Sequence, residues 1–184
     1  MPDPHVHPAV QRVVDAAARK GVRLDIHVFP EGTHTAEEAA AAVGAELGQI
    51  VKSLIFVGRA AGGGLAPVVC LVSGPNRVDL ARLAAVTGEP EIRRATAAEV
   101  KDLTGYTIGG IPPIGHAPGV RVVMDPDLGR FQTVWAAAGI STAVFPVPPG
   151  TLRMLSNAHV APICEVRRAA DIEGVLAADP PLSA

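Results

Sequence analysis

Aromatic residues are scarce in this chain. There is one Trp, one Tyr and four Phe among 184 residues, 3% in all, while 48% of the residues are hydrophobic. A core must therefore be filled by Ala, Val, Leu and Ile, and the composition is that of a globular rather than a disordered chain. Cysteine is nearly absent. Cys70 and Cys164 both sit in apolar segments, which reads as two buried free thiols of a cytosolic protein, with a disulfide between them as the less favoured alternative. No apolar run reaches the length of a membrane span. The start, Met1-Pro2-Asp3-Pro4-His5-Val6-His7, lacks a basic region followed by an apolar stretch, so no signal peptide is expected and the location expected is cytoplasmic.

Excess positive charge is missing too. The formal net charge is −2 and the pI about 6.3, which argues against a protein that grips nucleic acid nonspecifically. Contact with nucleic acid would have to be local, at Arg93-Arg94, Arg167-Arg168, or the pair Arg77 and Arg82; singly, each reads as ordinary solvated arginine. Lysine is the rarest charged residue, with three Lys (Lys20, Lys52 and Lys101) against thirteen Arg.

What is present is a succession of short elements. Apolar positions at Val10, Val13, Val14 and Ala17 predict a helix from His7 to Lys20, stopped by Gly21. Leu24 to Phe29 alternates as a strand. Thr35-Ala36-Glu37-Glu38 has the form of a capping box and opens a helix to about Val43. Gln49 to Val57 reads as a strand, Gly62-Gly63-Gly64 as a hairpin turn, and Pro67 to Ser73 as the return strand. Helices are predicted over Val78 to Val86 and Thr96 to Leu103, then a Gly/Pro loop from Gly109 to Pro118. Strands at Val120 to Met124, Gln132 to Ala136 and Thr142 to Phe145, a helix over Gly150 to Ser156 and a strand over Val160 to Val166 complete the series. The tail after Ala169 reads as a short helix that frays at Pro180-Pro181. The irregular mixture of strands and helices, with several hairpins and no interdomain linker, indicates one α+β domain.

Two segments carry chemistry. In Ile50-Val51-Lys52-Ser53-Leu54-Ile55-Phe56 both faces of the strand are apolar, and Lys52 shares its face with Ile50, Leu54 and Phe56. A lysine there either snorkels from an edge strand or serves a site, because an ammonium is rarely buried without a partner. In Gly109-Gly110-Ile111-Pro112-Pro113-Ile114-Gly115-His116, the glycines allow unusual backbone angles and the prolines stiffen the loop. Such a loop suits an oxyanion site of backbone donors; the alternative is a tight surface turn. The six histidines form no metal-ligand spacing, and there is no Gly-x-Ser-x-Gly elbow. Neither cysteine has neighbours that would lower a thiol pKa. Asp125, ahead of Pro126, reads as a turn residue rather than a general base.

Thr35-Ala36-Glu37-Glu38-Ala39-Ala40, Gly48-Gln49-Ile50-Val51-Lys52-Ser53-Leu54 and Gly109 to His116 occur in that order. Together they resemble the YbaK family, the editing domain associated with prolyl-tRNA synthetase, over about Val10 to Val166. Ser73-Gly74-x-Asn76-Arg77-x-Asp79 and Trp135-Ala136-x-x-Gly139 are similar to segments of free-standing members. The resemblance implies an α+β fold with a mixed, barrel-like β-sheet flanked by helices, a single editing domain over 1–184, and hydrolysis of the ester between a wrong small amino acid and the 3′ end of a tRNA, that for proline above all. It implies no metal and no cofactor. With no room for a synthetase core, the expected protein is a trans-acting aminoacyl-tRNA deacylase serving translation fidelity.

The family's lysine falls on Lys52 and its Gly-x-x-x-Pro loop on Gly109 to Pro113. The catalytic set expected is Lys52, Gly109 and Gly110. The substrate-binding set is Thr35, Ser73, Asn76, Ile111, Pro113 and His116. Lys52 would hold the phosphate or ribose of the terminal adenosine, the backbone N–H groups of Gly109 and Gly110 would face the ester carbonyl, and the substrate's own 2′-hydroxyl, or a water it orients, would drive attack. His116 is weighed as a general base. The partner expected is the 3′ end of an aminoacyl-tRNA, delivered by prolyl-tRNA synthetase or an elongation factor given the acidic balance, with no membrane. Two competing classes are a non-catalytic tRNA 3′-end or nucleotide-binding module, and a small-molecule ester or amide hydrolase.

Overall fold

The computed structural model describes residues 7–166. Five helices, α1 (Pro8–Ala18), α2 (Ala36–Val43), α3 (Leu80–Thr87), α4 (Ala97–Thr104) and α5 (Pro149–Ser156), accompany eight strands. The strands are β1 (His27–Val28), β2 (Ile50–Arg59), β3 (Leu65–Ser73), β4 (Arg93–Arg94), β5 (Arg121–Met124), β6 (Val134–Ala137), β7 (Ala143–Val147) and β8 (His159–Val160). They form one mixed sheet in the order β1-β7-β6-β2-β3-β5-β8, with β4 paired to β2 beside that path. The expected mixed sheet flanked by helices is present, but β1 and β8 lie at opposite ends of the path and the sheet does not close into a barrel. Among the described residues, no helix is long and apolar enough to cross a membrane.

The β2–β3 hairpin is the spine, running in antiparallel register from Val51↔Ser73 to Arg59↔Leu65. Its turn uses positive φ at Gly63 (79°) and Gly64 (100°), where an L side chain would be strained. Both hairpin faces are buried, as the paired apolar alternations require. On one face Val51, Ile55, Val69 and Leu71 pack with Val10, Val13 and Ala17 of α1, Val100 of α4 and Leu152 of α5. On the other, Phe56, Val68, Cys70 and Val72 pack with Leu83 of α3, Ile92 and Ile163. A third cluster joins Ala39 and Ala40 of α2 to Ile50. Burial pushes the Cys70 thiol up to about 12, so it is inert packing.

Two expected strands are much shorter than their apolar patterns. Only His27 and Val28 pair, with Val144 and Ala143 of β7, whereas Leu24 and Ile26 lie against the core outside any strand. At the C-terminal end, pairing stops after Val160 and resumes only as a bridge from Cys164 to Val78, with Pro162, which lacks an N–H, in between. β4 was not expected; two residues carry no periodicity. The tail after Ala169 and the Arg167-Arg168 patch lie outside the described residues.

Candidate active site

β2 is bordered by β3 from Val51 to Arg59 on one edge. On the other edge it meets β6 only at Ile50 and Val51, and β4 only at Phe56 and Val57. Between those two partners the edge is open. Ile55 directs its carbonyl to that edge, where it accepts from the Ala95 N–H at 3.0 Å. Backbone groups repeat their direction every second residue, so Ser53 presents its N–H and C=O into the opening. A cavity of about 210 Å³ occupies the gap. α2 supplies Ala36, Ala39 and Val43 to its wall, β2 Ile50 to Ile55, the Gly/Pro loop Ile108, Gly109 and Ile111, and the β6–β7 hairpin Trp135, Ala137, Ile140, Ser141, Ala143 and Val144. The wall is mostly apolar, with Thr33, His34, Thr35, Lys52, Ser53, Arg94 and Ser141 as its polar members.

Lys52 is not on an edge strand. It sits on central β2, in the seam between the cluster around Ile50 and the one around Phe56. Its ammonium is half-buried and donates to the Asn76 carbonyl at 2.6 Å. An ammonium has three N–H donors, so two remain for a ligand oxygen. Burial lowers its pKa, as do Arg94 and Arg77, while Cys164 and Glu37 act in the opposite direction. The sequence pairs of arginines are split. Arg93 is held bidentately by Glu99 of α4, at 2.9 and 2.7 Å, and this pairing holds the Glu99 carboxyl down at about 2. Arg94, across from Phe56 and therefore on the Lys52 face, has no ion-pair partner among the described residues and lines the cavity. Arg82 reaches Asp79, whereas Arg77 is exposed and also without an ion-pair partner among the described residues.

The Gly/Pro loop meets the same cavity through a division of labour. Gly109 has φ +95° and lines the cavity, and its N–H has no partner among the described residues. Gly110 is buried behind it, and its N–H donates to the Thr107 carbonyl at 3.1 Å. A Cβ on Gly110 would come within 2.6 Å of the Ile140 backbone. Gly110 is thus glycine because the loop must pack directly on the β6–β7 hairpin, and its N–H is already spent. Ile111 lines the cavity from a buried position.

Of the other expected residues, Thr35 reaches the cavity, while its Oγ accepts from the Glu38 N–H at 3.1 Å in the capping box of α2. Ser73, Asn76, Pro113 and His116 do not line it. Ser73 is buried, with Oγ donating to the Gly48 carbonyl at 2.6 Å. Pro113 is buried within the loop. His116 lies behind the loop, edge-on to Tyr106 and with Nε2 donating to the Pro112 carbonyl at 2.8 Å. Burial lowers its pKa. In this position the ring staples the loop through the Pro112 carbonyl.

The sequence reading missed Ser53. Its Oγ is buried and unpartnered beside the open backbone edge. A lone Ser in an apolar strand next to the lysine was the available signal, but whether that edge is paired depends on where β6 and β4 end. Among the described residues no three His, Cys, Asp or Glu side chains are grouped to hold a metal ion.

Residues 30–155 match the aminoacyl-tRNA editing domain family. The multifunctional Ser/Thr-tRNA deacylase ProXp-y of Escherichia coli (strain K12) is 30% identical over 71% of this chain and 77% of its own length. EbsC of Enterococcus faecalis (strain ATCC 700802 / V583), a candidate Cys-tRNA(Pro)/Cys-tRNA(Cys) deacylase, is 28% identical over 70% of this chain and 76% of its own. A crystal structure of a candidate trans-editing enzyme for prolyl tRNA synthetase superposes with a TM-score of 0.79 at 44% identity, covering 88% of this chain and 99% of that one. The matched segment holds β2 with its lysine, the Gly/Pro loop and the hairpin that together enclose the cavity, and on this footing the chain belongs to the aminoacyl-tRNA editing domain family.

Proposed function

We propose that this protein is a trans-acting aminoacyl-tRNA deacylase that hydrolyses the ester of a mischarged small amino acid on a tRNA, with tRNA for proline as the first candidate. The observation that carries this reading is the meeting of Lys52 and Gly109 at one small apolar cavity. At about 210 Å³ the cavity is smaller than the roughly 300–1,000 Å³ of sites that enclose a whole drug-sized ligand. It suits the aminoacyl group, with the adenosine and the rest of the tRNA end left outside. The relatives' printed substrates, Ser/Thr-tRNA and Cys-tRNA, are likewise small amino acids on tRNA.

The chemistry follows from the groups present. The two free donors of Lys52 hold a ribose or phosphate oxygen of the terminal nucleotide, and a half-dry site makes that charge-assisted bond stronger than it would be in water. In this reading the Gly109 N–H, which has no partner among the described residues, donates to the developing oxyanion. The hydroxyls of the wall belong to Thr33, Thr35, Ser53 and Ser141. Those of Thr33 and Thr35 are engaged with the Ser141 carbonyl and the Glu38 N–H, and among the described residues neither Ser53 nor Ser141 is hydrogen-bonded to a base that would activate it. Attack is therefore assigned to water positioned by the substrate's 2′-hydroxyl. A pure binding module would have no use for an unpaired donor at the carbonyl position, which favours the enzyme.

The test is a panel of Ala-, Cys-, Ser- and Thr-charged tRNAs for proline, alanine and serine, scored for release of free amino acid. Release from at least one mischarged species, with correctly charged tRNA spared, is expected. Release from none contradicts the proposal and leaves the non-catalytic tRNA-end binder.

A further inference from the structure

Asp125 is 2% exposed and accepts hydrogen bonds from four directions. Its Oδ2 accepts from the Asn76 amide at 2.7 Å, and more weakly from the Ser73 N–H and the Cys164 thiol, each at 3.4 Å. Its Oδ1 accepts from the Asp127 N–H at 3.1 Å, capping the 3-10 turn Pro126–Arg130. The Asn76 amide also donates to Asp127 Oδ2 at 2.7 Å. Asn76 N–H closes the turn after β3 onto the Ser73 carbonyl at 2.9 Å. The carbonyl of that same Asn76 receives Lys52 Nζ at 2.6 Å.

A turn alone needs only the capping bond to Asp127. Burying a carboxylate costs free energy that extra donors must offset, and the donors gathered here all belong to the segments that surround Asn76. We infer that Asp125 is a positioning residue for the deacylation: through Asn76 it fixes the carbonyl that aims the Lys52 ammonium at the substrate. The inference rests on the functional reading above. The linkage is short: one side-chain bond from Asp125 to Asn76, then one backbone bond to Lys52. Asp125 lines no part of the cavity; the link through Asn76 is the hydrogen-bonded path from it to Lys52. A misplacement of about 1 Å at a catalytic group costs up to ~100-fold in rate, so the aim of Lys52 is worth a dedicated buried carboxylate.

The test uses Asp125→Asn, whose amide cannot accept on both sides, and Asn76→Ala, which keeps the carbonyl but unties the turn. Both are measured in the wild-type and Lys52→Met backgrounds with enzyme in excess. The expected result is a ~10–100-fold loss in the first background and little further loss in the second, since a residue acting through Lys52 cannot act twice. The three lysines make a direct readout practical. With 13C-labelled lysine, the Lys52 Cε signal is expected to move in both variants. Lys20, bound to Met154, Leu155 and Asn157, and Lys101, bound to Gly105, are expected to stay. Equal fractional losses in the two backgrounds, or an unmoved Lys52 signal, overturn the inference. The spectroscopic arm needs no turnover. If the wild type hydrolyses no substrate, that arm still decides whether Asp125 sets Lys52, while the functional reading fails separately.

Discussion

Burial pushes Lys52 and His116 toward their neutral forms, yet the two residues answer to different demands. Lys52 binds its proton less tightly in the fold than the ordinary 10.5. Between its folded pKa and that value the unfolded chain holds more protons, so stability rises with pH, and at neutral pH the charged lysine is a cost. Its presence in a β-strand is better explained by a site than by folding. His116 has a folded pKa below 6.5. Its contribution to stability is therefore intact above 6.5 and falls away as pH drops from there toward the folded value. The Nε2–H bond to Pro112 needs no charge on the ring. His116→Gln is expected to flatten the loss of thermal stability between neutral and mildly acid pH, while leaving the pH dependence of kcat unchanged. A kcat profile that loses an ionisation in the variant would restore His116 as a general base.

At the scale of elements, the loop and the hairpin that face the cavity are fitted to each other through Gly110. Gly110→Ala places a methyl 2.6 Å from the Ile140 backbone, and backbone cannot give way as a flexible side chain can. The expected outcome is a loss of about 1–3 kcal/mol, together with a fall in activity as Gly109 is displaced. Gly62→Ala, with nothing within 4 Å of the new Cβ, is the matched control and should change neither. Denaturant midpoints for the two variants check this, and equal midpoints would contradict the packing role. The elements with internal signals were legible in the sequence: the capping box at Thr35, the helix opening at Thr96, the Gly-rich turn and the paired apolar strands all formed where expected. What was not legible depends on partners. Leu24 to Ile26 alternates like a strand but has no neighbouring strand to pair with. β4 exists only because β2 offers it an edge. The gap at Ser53, where the cavity opens, is defined by where two other strands stop. The same logic separates the site residues: Lys52, Gly109, Thr35 and Ile111 meet at the cavity, whereas Ser73, Asn76, Pro113 and His116 stand behind it.

For the molecule as a whole, the net charge of −2 argues against a nonspecific grip on nucleic acid; in the proposed function contact with tRNA is local, and Arg94, which lines the cavity, is one candidate for it. In that reading recognition centres on the tRNA end, and the fold brings one strand, one loop and one hairpin together around the cavity. The helices on both faces of the β2–β3 hairpin keep that strand central, which leaves a lysine placed on it half-buried at the cavity rather than on a solvated edge strand. The account stands on the claim that this lysine is there for the reaction and not for the fold. Lys52→Met tests it most directly, in single-turnover hydrolysis of the mischarged tRNA that the wild type cleaves fastest, with a thermal melt of the same preparation. The account predicts a rate ~100–1,000-fold lower, the scale of losing one electrostatic stabiliser, and a Tm no lower than that of the wild type. A variant that melts normally and hydrolyses at the wild-type rate would contradict it.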